Sequence, residues 1–386
     1  MTEFQNSSTL HICIYRTSSI GDVVLASVCL DLLEKMAIPM RVTWFGRPPS
    51  LDLIKGAYPH VRCITVPRRL QRREWQQLFG KVERADLIIN LQTNLRAYFF
   101  CRGLQRRTKA PIFRAKKRSF ARSFMVFMAR LRGRIFQLPE HMKQPKTFQY
   151  DMMLTPLALG VKRIVSAKTH GGCKDPASFK PEPRLPIPQV TRDAVFEELC
   201  GRFHELGSHP KRLALAVGAS HETKRAPEDV FVAILERLKQ KKLDLPALLF
   251  LGDYADASIS TEILKRVAWP APIVNFSGEG SLLETAVVLT KCSGLLTNDS
   301  ALGHIAEAVG IPVSTLFGPT VEAFGFPPRL PSSRAFSSRL GCRPCSRHGK
   351  KPCRYGDQKC FKTLDIELVV NHLVSLVTDR PSCELE

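Results

Sequence analysis

Apolar residues in the first half of the chain fall into short runs, and the segments between them have the length and spacing of amphipathic helices. The runs that we interpret as strands are residues 10–15, 41–45, 63–66 and 87–91. After the first run, apolar residues return at helical spacing from Asp22 to Met36. Strands that alternate with helices are typical of a parallel, doubly wound sheet. We therefore predict a Rossmann-like first domain.

The same alternation is repeated in the second half of the chain. The predicted strands there are residues 212–217, 247–251, 272–276 and 294–297, and the predicted helices are residues 227–241 and a helix from Leu282. Between the halves, residues 173–188 contain five prolines, too many for a helix or a central strand. We assign residues 1–180 to one Rossmann-like domain and 190–386 to another. A closing helix near residues 363–378 has an apolar face that could dock on either domain.

Open sheets of this class bind ligands outside the carboxyl ends of their strands. We therefore expect a central cleft between two Rossmann-like domains, with loops from both halves forming the site. The loop after the first strand contains one glycine, Gly21, whereas a dinucleotide site requires G-x-G-x-x-G there. This loop excludes an NAD-dependent dehydrogenase.

Length and charge restrict the function further. The chain has 386 residues, 44% of them hydrophobic and 24% charged, which is enough for two packed cores. Its formal charge is +22, which favours partners that carry phosphate: a nucleotide, a nucleic acid or an anionic lipid surface. The polar first nine residues do not resemble a secretory signal, and no run reaches the roughly 18 apolar residues of a membrane span. We expect a cytoplasmic protein with peripheral membrane contact.

The first motif with candidate chemistry is Arg16-Thr-Ser-Ser-Ile-Gly-Asp22, between the first strand and the first helix. Asp22 lies at or near the start of that helix. It could cap the helix, which would stabilise it by about 1 kcal/mol, or it could accept a proton from an attacking hydroxyl. The first role does not exclude the second, because a carboxylate at a helix start is held ionised by the helix dipole.

Two further motifs follow strands of the second domain. The loop Val217-Gly-Ala-Ser-His-Glu-Thr-Lys-Arg225 precedes a helix, and its amides together with Lys224 suit a diphosphate. An exposed surface lysine is the other interpretation. The segment 295–309 is a buried strand that ends in Asn298, Asp299 and Ser300 before a helix that carries His304. A packing histidine is the common alternative there, but hydrogen-bonding groups concentrated at a sheet edge favour a binding site.

Two basic segments remain. Cys342, Cys345, Cys353 and Cys360 lie among arginines and lysines, and such a quartet indicates either a structural zinc site or a reduced basic loop. The second pair is spaced more widely than in a zinc ribbon. Residues 102–134 interleave arginines and lysines with phenylalanines, which suits a solvated helix face, a phosphorylated glycolipid or RNA.

Four motifs in register resemble glycosyltransferase family 9, the ADP-heptose:lipopolysaccharide heptosyltransferases. They are Ser18-Ser-Ile-Gly-Asp-Val-Val24, Gly218-Ala-Ser-His-Glu-Thr-Lys-Arg225, Thr297-Asn-Asp-Ser-Ala-Leu-Gly-His304 and Phe317-Gly-Pro-Thr320. The resemblance runs from about Leu10 through the cysteine-rich tail at residues 342–360. It implies a GT-B fold and an inverting transfer of heptose from ADP-heptose to the inner core of lipopolysaccharide, with no required metal or other cofactor. It also implies a peripheral location on the inner face of the inner membrane.

Residue by residue, the resemblance implies that Asp22 is the general base of an N-terminal acceptor domain. The implied donor contacts in the C-terminal domain are Ser220, Thr223, Lys224, Asn298, Asp299, Ser300, His304 and Thr320. The candidate acceptor contacts are Ser19, Gly21, Arg114, Lys116, Arg118 and Arg122. One residue departs from the family pattern, because Ala301 stands where the family usually has glycine.

Two alternatives stay open. A transferase of the same fold could use another nucleotide sugar, since the four motifs contact mainly the nucleotide diphosphate. A basic nucleic-acid-binding protein built around residues 102–134 is a different class, supported only by the excess of 57 basic over 35 acidic residues. It explains none of the four loops.

Overall fold

The computed structural model describes residues 9–36, 38–69, 72–116, 119–168 and 175–378. The chain divides into two compact units, one formed by Met1–Lys117 with Gln149–Pro186, the other by Arg118–Phe148 with Ile187–Glu386. The main boundary lies in the proline-rich segment. The insertion 118–148 belongs to the second unit, although a linear division at residue 180 would place it in the first.

The first unit is built on a five-stranded parallel sheet. Its strands are β1 (Leu10–Tyr15), β2 (Met40–Gly46), β3 (Arg62–Thr65), β4 (Leu87–Asn90) and β5 (Ile112–Arg114), in the order β3-β2-β1-β4-β5. Its helices are α1 (Ile20–Ala26), α2 (Val28–Lys35), α3 (Ser50–Ala57), α4 (Arg72–Gly80), α5 (Leu95–Thr108) and α7 (Gln149–Lys168). Every strand pair is parallel, and the order reverses beside β1, as in a doubly wound fold.

The second unit has a six-stranded parallel sheet. Its strands are β6 (Arg212–Ala216), β7 (Ala247–Phe250), β8 (Ile273–Asn275), β9 (Gly294–Asn298), β10 (Val313–Phe317) and β11 (Arg334–Ser337), in the order β11-β10-β9-β6-β7-β8. Its helices are α6 (Ser119–Arg132), α8 (Gln189–Arg202), α9 (His204–Gly207), α10 (Glu228–Lys239), α11 (Tyr254–Arg266), α12 (Leu282–Thr290), α13 (Ala301–Ala308), α14 (Lys359–Lys362) and α15 (Ile366–Thr378). Counted from β6, the strand order is the 3-2-1-4-5-6 of dinucleotide-binding folds.

Buried aliphatic and aromatic residues explain why these elements pack. Strands β1, β4, β6, β9 and β10 are buried along their whole length, as expected of strands covered by helices on both faces. The closing helix α15 docks on the second unit, where Val369, Val370 and Leu373 join the core that also contains Phe231 of α10. The two doubly wound sheets confirm the predicted α/β class.

The structure differs locally from the predicted elements. The helix predicted from Asp22 to Met36 is interrupted at Ser27, which separates α1 from α2. The Ser27 hydroxyl is buried and accepts a hydrogen bond from the backbone N–H of Arg184 at 2.9 Å. Two short strands, β5 and β11, were not predicted because three or four residues show no clear alternation.

Candidate functional site

The loop after β1 is held at the point where the strand order of the first sheet reverses. β1 pairs with β2 on one side and with β4 on the other, so the loops after β1 and β4 meet at one edge. Thr17 donates hydrogen bonds from its backbone N–H and its hydroxyl to Gln92 Oε1, at 2.9 and 2.7 Å. Gln92 Nε2 donates in turn to Ser18 Oγ at 3.1 Å. This network fixes the motif of residues 16–22 before any ligand binds.

Asp22 lies in the first turn of α1 and does not cap it. Ser19 occupies the N-cap position, without a side-chain capping bond. The Asp22 carboxylate accepts a salt bridge from Arg16 Nη2 at 2.6 Å and a hydrogen bond from Ser19 Oγ at 3.1 Å, both to Oδ2. Its side chain is 24% exposed, against 10% for Arg16. Arg16 therefore orients the Asp22 carboxylate, which remains partly exposed and accessible to a ligand.

The corresponding switch point of the second sheet lies between β6 and β9. Asn298 ends β9 and is fully buried. Its Nδ2 donates to the carbonyls of Val217 and Gly218 at 2.7 and 3.3 Å, and its Oδ1 accepts from Ala226 N at 3.1 Å. Both polar atoms of the amide thus hold the two ends of the loop 217–226. Asn298, which the sequence predicts as a donor contact, therefore also positions the loop 217–226.

Lys224, Asp299 and Thr320 come from three separate motifs and meet in one cluster. Asp299 Oδ2 accepts from Lys224 Nζ and from Thr320 Oγ1, each at 2.7 Å. Burial by itself raises the pKa of the Asp299 carboxyl, but the Lys224 ammonium, the Thr320 hydroxyl and the nearby His304 outweigh it and leave the pKa below its usual range. The Lys224 side chain is 13% exposed, so it is no ordinary surface lysine.

The start of α13 completes this polar surface. Ser300 is its N-cap residue, and Ser300 Oγ lies 3.0 Å from Thr297 Oγ1. His304 lies one turn further along, with its ring 6.0 Å from that of Phe326. Ala301 opens the helix, and its backbone is not among the positive-φ positions of the described residues, so its methyl group causes no backbone strain. Ser220 lies exposed in the preceding loop.

The cysteine-rich segment contacts the loop that carries Lys224 and the turn that carries Thr320. Arg343 is 1% exposed, and its guanidinium donates to the carbonyls of Gly318, Ser338 and Thr320 at 2.6 to 2.8 Å. The Thr223 hydroxyl donates to the carbonyl of Gly349. Gly349 has φ +81° and lies so close to Lys224 that an added Cβ would meet Lys224 Cγ at 2.4 Å. The segment therefore fixes both the lysine loop and the turn that carries Thr320.

The four cysteines of this segment line one cavity of about 350 Å³. Burial raises the pKa of Cys345 to about 11 and that of Cys360 to about 12, so both are protonated at neutral pH. Among the residues that the structure describes, no three His, Cys, Asp or Glu side chains are arranged so that they could hold a metal ion. The cysteines thus share a cavity without forming a coordination set.

The candidate acceptor residues are divided between the two units. Ser19, Gly21, Arg114 and Lys116 belong to the first unit, and Arg114 lies exposed at the end of β5 with its guanidinium 4.5 Å from the centre of the Tyr98 ring. Arg122 belongs to the second unit, donates to the carbonyl of Phe324 at 2.7 Å and stacks on Phe324 and Phe326. Arg118 lies outside the described residues.

Comparison with known proteins shows which family these loops resemble. The model of glycosyltransferase family 9 (heptosyltransferase) matches residues 180–355, which include the three predicted donor motifs and most of the cysteine-rich segment. Lipopolysaccharide heptosyltransferase 1 of Campylobacter coli is 20% identical over 314 residues, which are 81% of this chain and 84% of that protein. The chain thus matches glycosyltransferase family 9 through residues 180–355. It is therefore a glycosyltransferase.

Solved structures show that this glycosyltransferase has the GT-B fold. The Escherichia coli ADP-heptose lipopolysaccharide heptosyltransferase II matches with a TM-score of 0.65 at 16% identity, over 96% of this chain and 99% of that one. The iron-containing dodecameric glycosyltransferase TibC of enterotoxigenic E. coli matches with a TM-score of 0.52 at 14% identity, over 96% and 76%. Open α/β sheets bind ligands outside the carboxyl ends of their strands, at switch points of this kind.

Proposed function

We propose that this transferase moves heptose from ADP-heptose to the lipid A-linked inner core of lipopolysaccharide, with inversion and without a required metal. The observation that carries the proposal is the cluster of Lys224, Asp299 and Thr320 at the nucleotide-binding switch point. The relatives support the donor and acceptor, since they are named as lipopolysaccharide heptosyltransferases and one structure is named for ADP-heptose.

On the donor side, Lys224 is the cation that binds the diphosphate. Negative charge on the leaving ADP grows as the bond to the sugar breaks, and a fixed ammonium stabilises that charge without a metal ion. Asp299 holds the ammonium in place, and the loop 217–226 brings backbone amides to the same ligand. Ser220, Thr223, Ser300 and His304 are the remaining candidates for contacts with the donor.

On the acceptor side, Asp22 is the general base. The acceptor oxygen attacks the anomeric carbon, the bond from that carbon to the phosphate oxygen breaks, and the hydroxyl proton passes to the carboxylate. One displacement inverts the anomeric centre. Arg16 and Ser19 both bind Oδ2, which leaves Oδ1 as the oxygen that accepts the proton. Ser19, Gly21, Arg114, Lys116, Arg118 and Arg122 are the proposed acceptor contacts.

Replacing Asp22 by asparagine tests this assignment. Asparagine preserves the size of the side chain but cannot take the proton, so turnover of ADP-heptose should fall by about a hundredfold or more while ADP binding is unchanged. Asp52→Asn is the matched control, because Asp52 is an exposed carboxylate in the first turn of α3 in the same unit. Turnover in the Asp22 variant close to that of the control would show that the base lies elsewhere.

The choice of sugar is tested separately from the choice of base. The cluster around Lys224 addresses the diphosphate, which every nucleotide sugar shares, so a transferase of another sugar is the alternative. Competition between ADP-heptose and other nucleotide sugars for the same acceptor distinguishes the two. A nucleic-acid-binding protein explains none of the four motifs, whereas the family model matches residues 180–355, which contain three of them.

The lipid-linked acceptor implies a place at the membrane. Among the described residues, no helix is long and apolar enough to cross a bilayer. We propose that the protein works in the cytoplasm as a peripheral protein on the anionic inner face of the inner membrane, where its acceptor is exposed. Its positive charge of +22 supports this location.

The cysteine quartet is a separate proposal. We infer that Cys342, Cys345, Cys353 and Cys360 close around a structural metal ion, since they line one cavity and four thiolates suit zinc or iron. Binding would require the thiols to turn inward and to lose their protons, aided by cations such as Arg343. Elemental analysis of the purified protein should find about one zinc or iron per chain. Its absence, with thermal stability unaffected by chelators, would identify the quartet as reduced thiols.

A further inference from the structure

The helix α6 has two apolar faces, and only one of them is used by the fold. Met125 and Val126 pack against the small core formed by Leu138, Met142, Val321 and Phe324 of the same unit, and Ala129 of the same helix is buried. Arg132 secures this side by donating to the carbonyls of Gly341 and Arg343 at 3.2 and 2.9 Å. The helix is therefore held firmly on the second unit by one face.

The opposite face is a row of large apolar side chains exposed to solvent. Phe120, Phe124, Phe127 and Leu131, which we call the phenylalanine stripe, are 85%, 55%, 55% and 65% exposed. At about 100° per residue they fall within an arc of roughly 60° and extend about 16 Å along the helix. Ile135 and Phe136, which follow the helix, are 89% and 61% exposed. A contiguous exposed patch of this kind marks an interaction surface.

The charges near the phenylalanine stripe indicate which kind of surface it binds. Residues 118–139, the part of the second unit that includes α6, contain five arginines and no aspartate or glutamate. Two exposed arginines of the cysteine-rich segment are bonded to α6 itself, Arg347 to the Ser123 hydroxyl at 3.2 Å and Arg354 to the Arg130 carbonyl at 3.2 Å. The nearby acid Asp357 is already paired with Arg134. Large apolar side chains bordered by cations complement a bilayer surface with anionic headgroups.

We propose that the phenylalanine stripe inserts into the interfacial region of an anionic bilayer, with Arg130, Arg347 and Arg354 on the lipid phosphates. The proposal rests on the proposed function for its setting, because the acceptor is lipid-linked. It deepens that function by naming the element that brings the protein to its acceptor. The helix lies flat on the surface, since one face is fixed to the protein and the other is apolar along its whole length.

The test is binding of the full chain to vesicles made of phosphatidylglycerol and phosphatidylethanolamine in equal parts. Phe124→Gln with Phe127→Gln should weaken binding by about a hundredfold, because two aromatic side chains no longer enter the bilayer. The matched control is Val190→Gln with Leu368→Gln, which changes two exposed apolar residues elsewhere in the same unit and should bind like the original protein. Vesicles of phosphatidylcholine alone should bind weakly, and added salt should reduce binding to the anionic vesicles.

Unchanged vesicle binding by the phenylalanine variant would overturn the proposal. So would a finding, by sedimentation velocity, that the original protein is oligomeric and the variant monomeric while vesicle binding persists, since the stripe would then face a second copy. Transfer to a deacylated, water-soluble acceptor should stay within about twofold in the variant, because the soluble acceptor needs no membrane. Lack of transfer by the original protein with vesicle binding intact would refute the proposed function and leave the docking surface standing.

Discussion

Replacing Lys224 by methionine tests two roles of one side chain, in folding stability and in donor binding. In the free protein the ammonium neutralises Asp299, and in the proposed complex it binds the diphosphate. Methionine keeps the length of the side chain and removes the charge. Both partners are nearly buried, at 13% and 11% exposed, so the Asp299 carboxylate loses its cation in a place that water reaches poorly.

The loss of folding stability and the loss of ADP affinity can both be estimated. Breaking a buried ion pair by removing one partner costs about 3–5 kcal/mol, and the Thr320 hydroxyl that still binds Asp299 places this case near 3. A loss of that size lowers the melting temperature by roughly 6–12 °C in a domain of this size. Loss of one charge-assisted hydrogen bond to the diphosphate weakens ADP binding by about tenfold to a hundredfold.

The decisive measurement uses the double variant Lys224→Met with Asp299→Asn. Asparagine removes the uncompensated carboxylate, so stability measured by thermal unfolding should recover most of the loss. ADP affinity measured by calorimetry should stay weak, because the phosphate-binding cation is still absent. If affinity returned together with stability, Lys224 would be a structural residue only and the donor-site assignment would be wrong.

Three further variants probe the supports of the site. Asp299→Asn should be less stable than the original protein at neutral pH. Folding lowers the pKa of Asp299, so the difference in stability between the two proteins is complete above about pH 4 and disappears as the pH falls through the lowered pKa. Unfolding measured at a series of pH values will show this dependence. Gly318→Ala should cost roughly 1–3 kcal/mol in urea unfolding, since its Cβ would meet the Phe361 ring at 2.2 Å, and an unchanged midpoint would mean that the ring moves freely. Asn298→Ala removes the amide that hydrogen-bonds to the backbone of Val217, Gly218 and Ala226. Stability should fall by about 1–3 kcal/mol, and the KM for the donor should rise because the loop is less well fixed. A normal KM would show that the loop keeps its position without Asn298.

The local chemistry of the proposed donor site could be predicted from the sequence. Small hydroxyl residues, amides and carboxylates directly after apolar strands predict polar groups at the carboxyl edge of a parallel sheet. Because two of these strands are adjacent in the sheet, β6 and β9, the loop with Lys224 and the segment with Asp299 meet as that rule requires. The motif order was enough to indicate the family, since four spaced patterns rarely coincide by chance.

Several residues that hold the site could not be found from local patterns. Arg343 looked like one more surface cation of a basic tail, yet it is buried and binds three carbonyls of distant segments. Gln92 follows β4 without any motif, and it binds Thr17 and Ser18, which lie 75 and 74 residues earlier in the chain. These partners are distant in sequence, so periodicity and spacing carry no information about them.

The sequence by itself determined the alternation of strands and helices, the polar loops after particular strands and the family. Those properties depend on residues close together in the chain, whose spacing fixes which face is apolar and where a strand ends. The tertiary structure alone decided that Lys224 is paired with Asp299, that Asn298 supports a loop, and that α6 belongs to the second unit with its phenylalanines outward. These facts depend on which of several possible partners a side chain meets once the core has closed, because burial and pairing are properties of the whole packed chain.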